Sequence, residues 1–182
     1  IDLNKTVAML EDATAAMKQI AKSGKKILFV ATKKQAKGIV AETAAALNMP
    51  FITERWPGGL LTNFATIRKS IKKMQTIDKM KENGTFDSLS KRERLQIDRQ
   101  RAKLDLNLGS IVKMTRMPEA VFIVDTGKEN IALAEANKLG IRSFAMNDTN
   151  TNPNLVSFPI PSNDDASKSI QCIMSIVKTA IA

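Results

Sequence analysis

Short apolar runs alternate with helix-length amphipathic stretches along this chain, and that alternation restricts its fold more than any other feature. Residues 26–31 (KILFVA), 51–53 (FIT), 120–124 (AVFIV) and 142–146 have the length and apolar content of buried strands. Between them the apolar spacing turns helical. Asn4 is placed to cap a first helix carrying Val7, Leu10, Met17 and Ile20, which Gly24 closes. A second helix presents Ala36, Ile39, Val40, Thr43 and Leu47, and Asn48 and Pro50 stop it. A third spans 130–139 before Gly140. A last one, capped from Asp164, Asp165 or Ser167, turns Ile170, Ile173, Met174, Val177 and Ile181 inward. Pro159 and Pro161 send the run 156–160 to a sheet edge, because proline cannot donate to a ladder. This order predicts an α/β fold, a parallel sheet with crossover helices on both faces.

Residues 66–116 break the rhythm. Ile67, Ile71, Met74, Ile77 and Met80 recur at helical spacing, and Asn83-Gly84 signals a turn. Ser90 and Glu93 then form an S-x-x-E capping box ahead of Leu95, Ala102, Leu104, Leu108 and Ile111. Two long helices joined by a short loop predict an antiparallel hairpin inserted into the α/β domain of 1–65 and 117–182. The segment holds 14 Lys/Arg and 6 Asp/Glu, so it carries +8 of the chain's +10. A merely solvated face needs no such bias in sign, and a polyanionic partner is expected. The junction is 51–63 (FITERWPGGLLTN). There Pro57 stiffens the entry, Gly58 and Gly59 permit unusual backbone, and the single tryptophan, Trp56, is either a core anchor or a stacking surface.

Composition removes several classes of function. There is no histidine, so no histidine triad or histidine-ligated metal exists within this sequence. One cysteine, Cys172, allows no internal disulfide and fits a reducing compartment; its apolar neighbours point to a core position. No apolar run reaches the roughly 20 residues of a membrane span, and the first residues lack a signal-peptide pattern. Because the sequence opens without Met, it is expected to be a piece of a longer protein. No G-x-G-x-x-G follows the first strand, and Gly127-Lys128 lacks the flanks of a phosphate loop.

Two sets of residues could still do chemistry. Asp125, Asp148, Asp164 and Asp165 fall at strand ends, where ligands of parallel sheets gather. They can share Mg²⁺, or serve as helix caps and turn formers. The basic set reads as phosphate contacts: Lys33, Lys34 and Lys37 at a helix start, Arg68, Lys69, Lys72 and Lys73 as one stripe, and Arg92, Arg94, Arg99 and Arg101 on the second arm helix. With no Tyr, recognition of folded RNA by shape and backbone suits the chain better than stacking on unpaired bases. The alternatives are a Mg-dependent sheet-end enzyme or sensor that handles phosphate, and a binder of acidic membranes. The membrane reading suffers because the arm's apolar stripe is used in hairpin packing.

Taken in order, FVATKKQA (29–36), RWPGGLLTNF (55–64), GTFD (84–87), VDT with EANKLGI (124–141), NDTN (147–150) and PIPSNDDA (159–166) resemble the bacterial-type ribosomal protein S-two family of the small subunit across nearly the whole chain. The resemblance implies a flavodoxin-like sheet with an inserted coiled-coil-like hairpin, and a structural rather than enzymatic role. It implies binding to small-subunit rRNA, neighbouring subunit proteins as partners, and docking of protein S-one, which captures messenger RNA. It also implies a cytoplasmic ribosome in preference to an organelle one, no resident cofactor, no membrane and no homo-oligomer. By motif, Lys33, Lys34, Arg55, Trp56, Gly58, Gly59, Thr62 and Asn63 become contacts or scaffolding for them. Two departures stand out. The family's usual histidine- and glycine-containing opening segment is not in this sequence, and Ser162-Asn163 stands where the family has a glycine.

Overall fold

A computed structural model describes residues 1–182. In chain order the elements are α1 (Leu3–Lys22), β1 (Ile27–Val30), α2 (Lys34–Ala46), β2 (Phe51–Ile52), α3 (Phe64–Glu82), α4 (Lys91–Leu108), β3 (Ala120–Val124), α5 (Asn130–Lys138), β4 (Arg142–Asn147), β5 (Phe158–Pro161) and α6 (Ser167–Ile181). All five strands pair in parallel, in the order β2-β1-β3-β4-β5. This is the doubly wound, flavodoxin-like order, with its switch point between β1 and β3. Every residue of β1 and β3 is buried, as expected of central strands covered on both faces. β5 is an edge strand, which tolerates Pro159 and Pro161.

One face of the sheet presents Phe29, Phe122, Phe144 and Met146 to Leu10 and Met17 of α1, Val40 of α2, and Ile170 and Met174 of α6. The other presents Leu28, Val30, Val121, Ile123 and Ala145. Only α5 covers this side from within the βαβ units, through Ala132, Leu133 and Ala136. The rest of the layer comes from the junction (Trp56, Leu60, Leu61) and from the foot of the arm (Ile71, Leu108, Ile111, Met114). Residues of the hairpin's foot therefore complete the second core. Ser110 Oγ also donates to the Phe51 carbonyl, tying the arm's return to β2.

Farther out, ion pairs bridge the two arm helices beside buried Met74 and Ile77. Arg101 Nε meets Asp78 at 2.9 Å, Lys81 meets Asp98 at 2.5 Å and Arg94 lies 3.8 Å from Asp87, a register that makes α3 and α4 antiparallel. The capping box is formed: Ser90 N–H donates to Glu93 Oε2 at 3.0 Å, and Glu93 N–H reaches Ser90 Oγ at 3.4 Å. Leu95 and Ala102, expected on the packing stripe, are exposed instead. Charged side chains occupy half of α4, and Asp98 and Arg101 make its ion pairs to α3.

Four local expectations are corrected. Asp2, not Asn4, caps α1, its Oδ1 accepting from Asn4 N–H at 3.0 Å. Val7 is exposed, because the buried stripe of α1 runs through Leu10, Ala13, Met17 and Ile20. Ala166 is the residue before α6, so neither Asp164 nor Asp165 caps it and Ser167 is already helical; Asn163 Oδ1 accepts from Asp165 and Ala166 N–H at 2.8 and 2.9 Å. Cys172 is exposed. It lies about 100° around the helix from Ile173, off the stripe that faces the sheet.

Candidate nucleic-acid interface

The junction is built around one buried carboxylate. Glu135 of α5 is 8% exposed. Its Oε1 accepts from Trp56 Nε1 at 3.1 Å and Gly59 N–H at 2.7 Å; its Oε2 accepts from Leu61 N–H at 2.9 Å, Thr62 N–H at 3.1 Å and Thr62 Oγ1 at 3.2 Å. Burial by itself raises the carboxyl's pKa, but the donors of Thr62, Trp56, Gly59 and Leu61 together outweigh it and hold the group below the ordinary glutamate range. The converging donors need a tightly curled loop. Gly59 supplies it at φ +83°, where an added Cβ would sit 3.2 Å from Asn63 Cβ. Trp56, 7% exposed with its indole bonded inward, is a core anchor and offers no face for stacking on RNA. Thr62 also bonds Glu135, yet the residue stays exposed. Sequence reasoning does not single out Glu135. The available signal is a carboxylate on the same face of α5 as buried Ala132 and Ala136.

A second carboxylate cluster fills the sheet's switch point. Lys33 Nζ lies 3.0 Å from Asp125, 2.7 Å from Asp164 and 2.6 Å from Asp165. Burial disfavours its charge, but these carboxylates prevail and raise its pKa. Beside it Thr32 donates through both N–H and hydroxyl to buried Glu129. Asp125, at φ +68°, accepts Lys128 N–H at 3.1 Å and so forms the turn after β3. Asp148 accepts Thr149 N–H at 2.6 Å. Carboxylate oxygens of Asp148, Asp164 and Asp165 lie within 4.8 Å of one another. Burial raises the Asp164 pKa; Lys33 opposes this, and the neighbouring Asp125 and Asp148 reinforce it. Lys33, expected to meet phosphate, is thus ringed by the protein's own acids.

The remaining basic candidates divide sharply. Arg68 donates to the carbonyls of Val112 and Met114 at 3.2 and 3.1 Å, pinning the arm's return, and leaves the expected stripe. Arg101 is held by Asp78 and Asp105, Arg94 lies toward Asp87, and Lys37 pairs with Glu54 at 2.9 Å. Asn63 Oδ1 accepts from Thr66 Oγ1 at 2.8 Å while the residue stays exposed. Lys34, Arg55, Lys69, Lys72, Lys73, Arg92 and Arg99 are exposed and take no part in these ion pairs. Of these, Lys69, Lys72 and Lys73 share the face of α3 opposite buried Ile71, Met74 and Ile77. These cations are the part of the basic set left unengaged by the protein's own acids. No helix is long and apolar enough to cross a membrane.

Known proteins resemble this chain along its whole length. The family model described as Ribosomal protein S2 matches residues 1–182. The small ribosomal subunit protein uS2 of Phocaeicola vulgatus is 63% identical over 182 residues, covering 100% of this chain and 65% of the relative. That of Flavobacterium psychrophilum is 65% identical over 181 residues, covering 100% of this chain and 68% of its own length. That of Bacteroides fragilis strain YCH46 is 63% identical over 174 residues, covering 96% and 63%. The chain thus spans roughly two thirds of the relatives it matches, which carry the name of a ribosomal protein and not of an enzyme. The sheet-end enzyme is set aside on that ground, and the chain belongs to the ribosomal protein S2 family.

Proposed function

We propose that this protein is a structural constituent of the small ribosomal subunit that binds rRNA through the unpaired cations of its arm. The observation that carries the reading is the partition of the basic residues. Arg68, Arg94 and Arg101 are engaged within the hairpin, whereas Lys69, Lys72, Lys73, Arg92 and Arg99 project from it free of those pairs. The α/β body anchors the foot of the arm, and the arm takes the phosphates. Family membership supports a place on a cytoplasmic ribosome among other small-subunit proteins, a part in subunit assembly and translation initiation, and the docking of protein S-one. The test is rRNA binding by charge-reversed arm variants across a salt series.

The scaffold reading requires no catalytic cofactor. A structural Mg²⁺ among Asp148, Asp164 and Asp165 is a secondary part of the proposal. It is favoured because Asp164 Oδ2 is buried without a hydrogen-bond partner beside two further carboxylates. Millimolar Mg²⁺ is expected to raise the melting temperature of the wild type and to do so much less for Asp148→Asn. An equal response from both proteins would remove the ion from the proposal.

A further inference from the structure

Between the junction and the arm lies a cleft of about 380 Å³, within the size range of sites for single small ligands. Its apolar lining is Ile67 of α3 with Leu104 and Leu108 of α4. Arg55 and Lys103 bring two cations to it, and no Asp or Glu lines it. Gln100 and Asn107 add side-chain amides. Asn107 Nδ2 already donates to the Lys103 carbonyl at 2.8 Å, which leaves Oδ1 free to accept.

Gly58 supplies the independent observation. The neighbouring Gly59 is required by the fold, through its φ of +83° and its closeness to Asn63. Gly58 meets neither condition: its φ lies outside the left-handed region, and a Cβ built on it finds nothing within 4 Å. The protein's own packing therefore does not call for glycine there. Glycine also serves where backbone must come close to a ligand, and Gly58 lines this cleft.

We infer that the cleft receives one unstacked nucleotide of the bound RNA, an inference that rests on the rRNA-binding reading above. The base lies on Ile67, Leu104 and Leu108, and the sugar passes over Gly58. Arg55 and Lys103 neutralise the phosphates on either side. Asn107 Oδ1 and the Gln100 amide meet the polar edge of the base. A splayed-out base read along its edge is the usual way proteins recognise RNA sequence. The cleft would thus add a local, base-dependent interaction to an arm that otherwise senses only phosphate.

The test uses the full chain and transcribed small-subunit rRNA. Gly58→Leu fills the opening. It is expected to melt like the wild type and to bind about tenfold more weakly, the scale of losing one small patch of apolar contact, with the salt dependence retained. Gln100→Ala, which removes an exposed side chain, is expected to weaken binding in the same direction and guards against misfolding of the glycine variant. Chemical probing of the RNA should show one nucleotide whose reactivity changes on wild-type binding and reverts with Gly58→Leu. If Gly58→Leu and Gln100→Ala both bind like the wild type while arm variants are impaired, the cleft inference is overturned and the arm reading survives. If the wild type does not bind the rRNA, both fall.

Discussion

Glu135→Gln is expected to destabilise the protein by about 3–4 kcal/mol. Whichever position the new amide nitrogen takes, at least two of the five donors from Trp56, Gly59, Leu61 and Thr62 then face another donor. Each buried donor left without an acceptor costs about 1–3 kcal/mol. For a domain of this size that is a fall in melting temperature of about 10 °C. Circular dichroism measures the melt. Trp56, the only tryptophan, reports the site directly, and its emission is expected to shift to the red as the indole loses its partner and gains water. A variant that melts and fluoresces like the wild type would show that the junction is held by something else.

The same carboxylate sets a pH dependence. The Glu135 pKa is depressed in the folded protein, so its stabilisation is complete above the ordinary glutamate value of about 4.3 and is lost as pH falls through the lower folded value. Asp164 acts in the opposite sense. Its folded pKa is raised, so its burial as an anion opposes folding at neutral pH and acidification relieves that cost first. Acid titration of the Trp56 signal follows the Glu135 transition, because the indole bonds Glu135 directly whereas Asp164 is paired with Lys33.

The second large effect concerns the arm. The triple variant Lys69→Glu, Lys72→Glu, Lys73→Glu is expected to bind rRNA at least tenfold more weakly in moderate salt. Its slope of log affinity against log salt should be shallower by about 2–3 units, near 0.9 for each phosphate no longer neutralised. A variant with the same change in net charge on α1, Lys5→Glu, Lys18→Glu, Lys22→Glu, separates local binding from overall charge, since these lysines are exposed on the body. It should retain nearly all of the wild-type slope. Equal losses in the two variants would mean that the net charge of +10 acts at a distance and that the arm has no special role.

What can be read from the residues follows a physical pattern. Strands such as 120–124 are legible because a central parallel strand is apolar at every position, and the Ser90–Glu93 box because its signal lies within four residues. The basic arm is legible as a change in charge. What escapes depends on partners distant in sequence. Nothing local to Arg68 reveals that its guanidinium reaches carbonyls 44 and 46 residues away, and nothing local to Lys33 reveals Asp164, 131 residues on. The Trp56 alternatives separate only once Glu135 is located, 79 residues downstream. Periodicity places Cys172 among apolar neighbours in sequence, yet the helix turns it to solvent. Net charge therefore identifies the class of partner, while only the fold separates cations free to meet it from those already held by the protein.

The most direct test is residue-resolved protein–RNA cross-linking in intact small subunits. Cross-linked peptides are expected to concentrate at Lys69–Lys73, at Arg92 and Arg99, and at Arg55 beside the cleft, with Lys33 and Arg101 absent from them. Cross-links confined to the α/β body, with both arm helices unmodified, would contradict RNA binding by the arm.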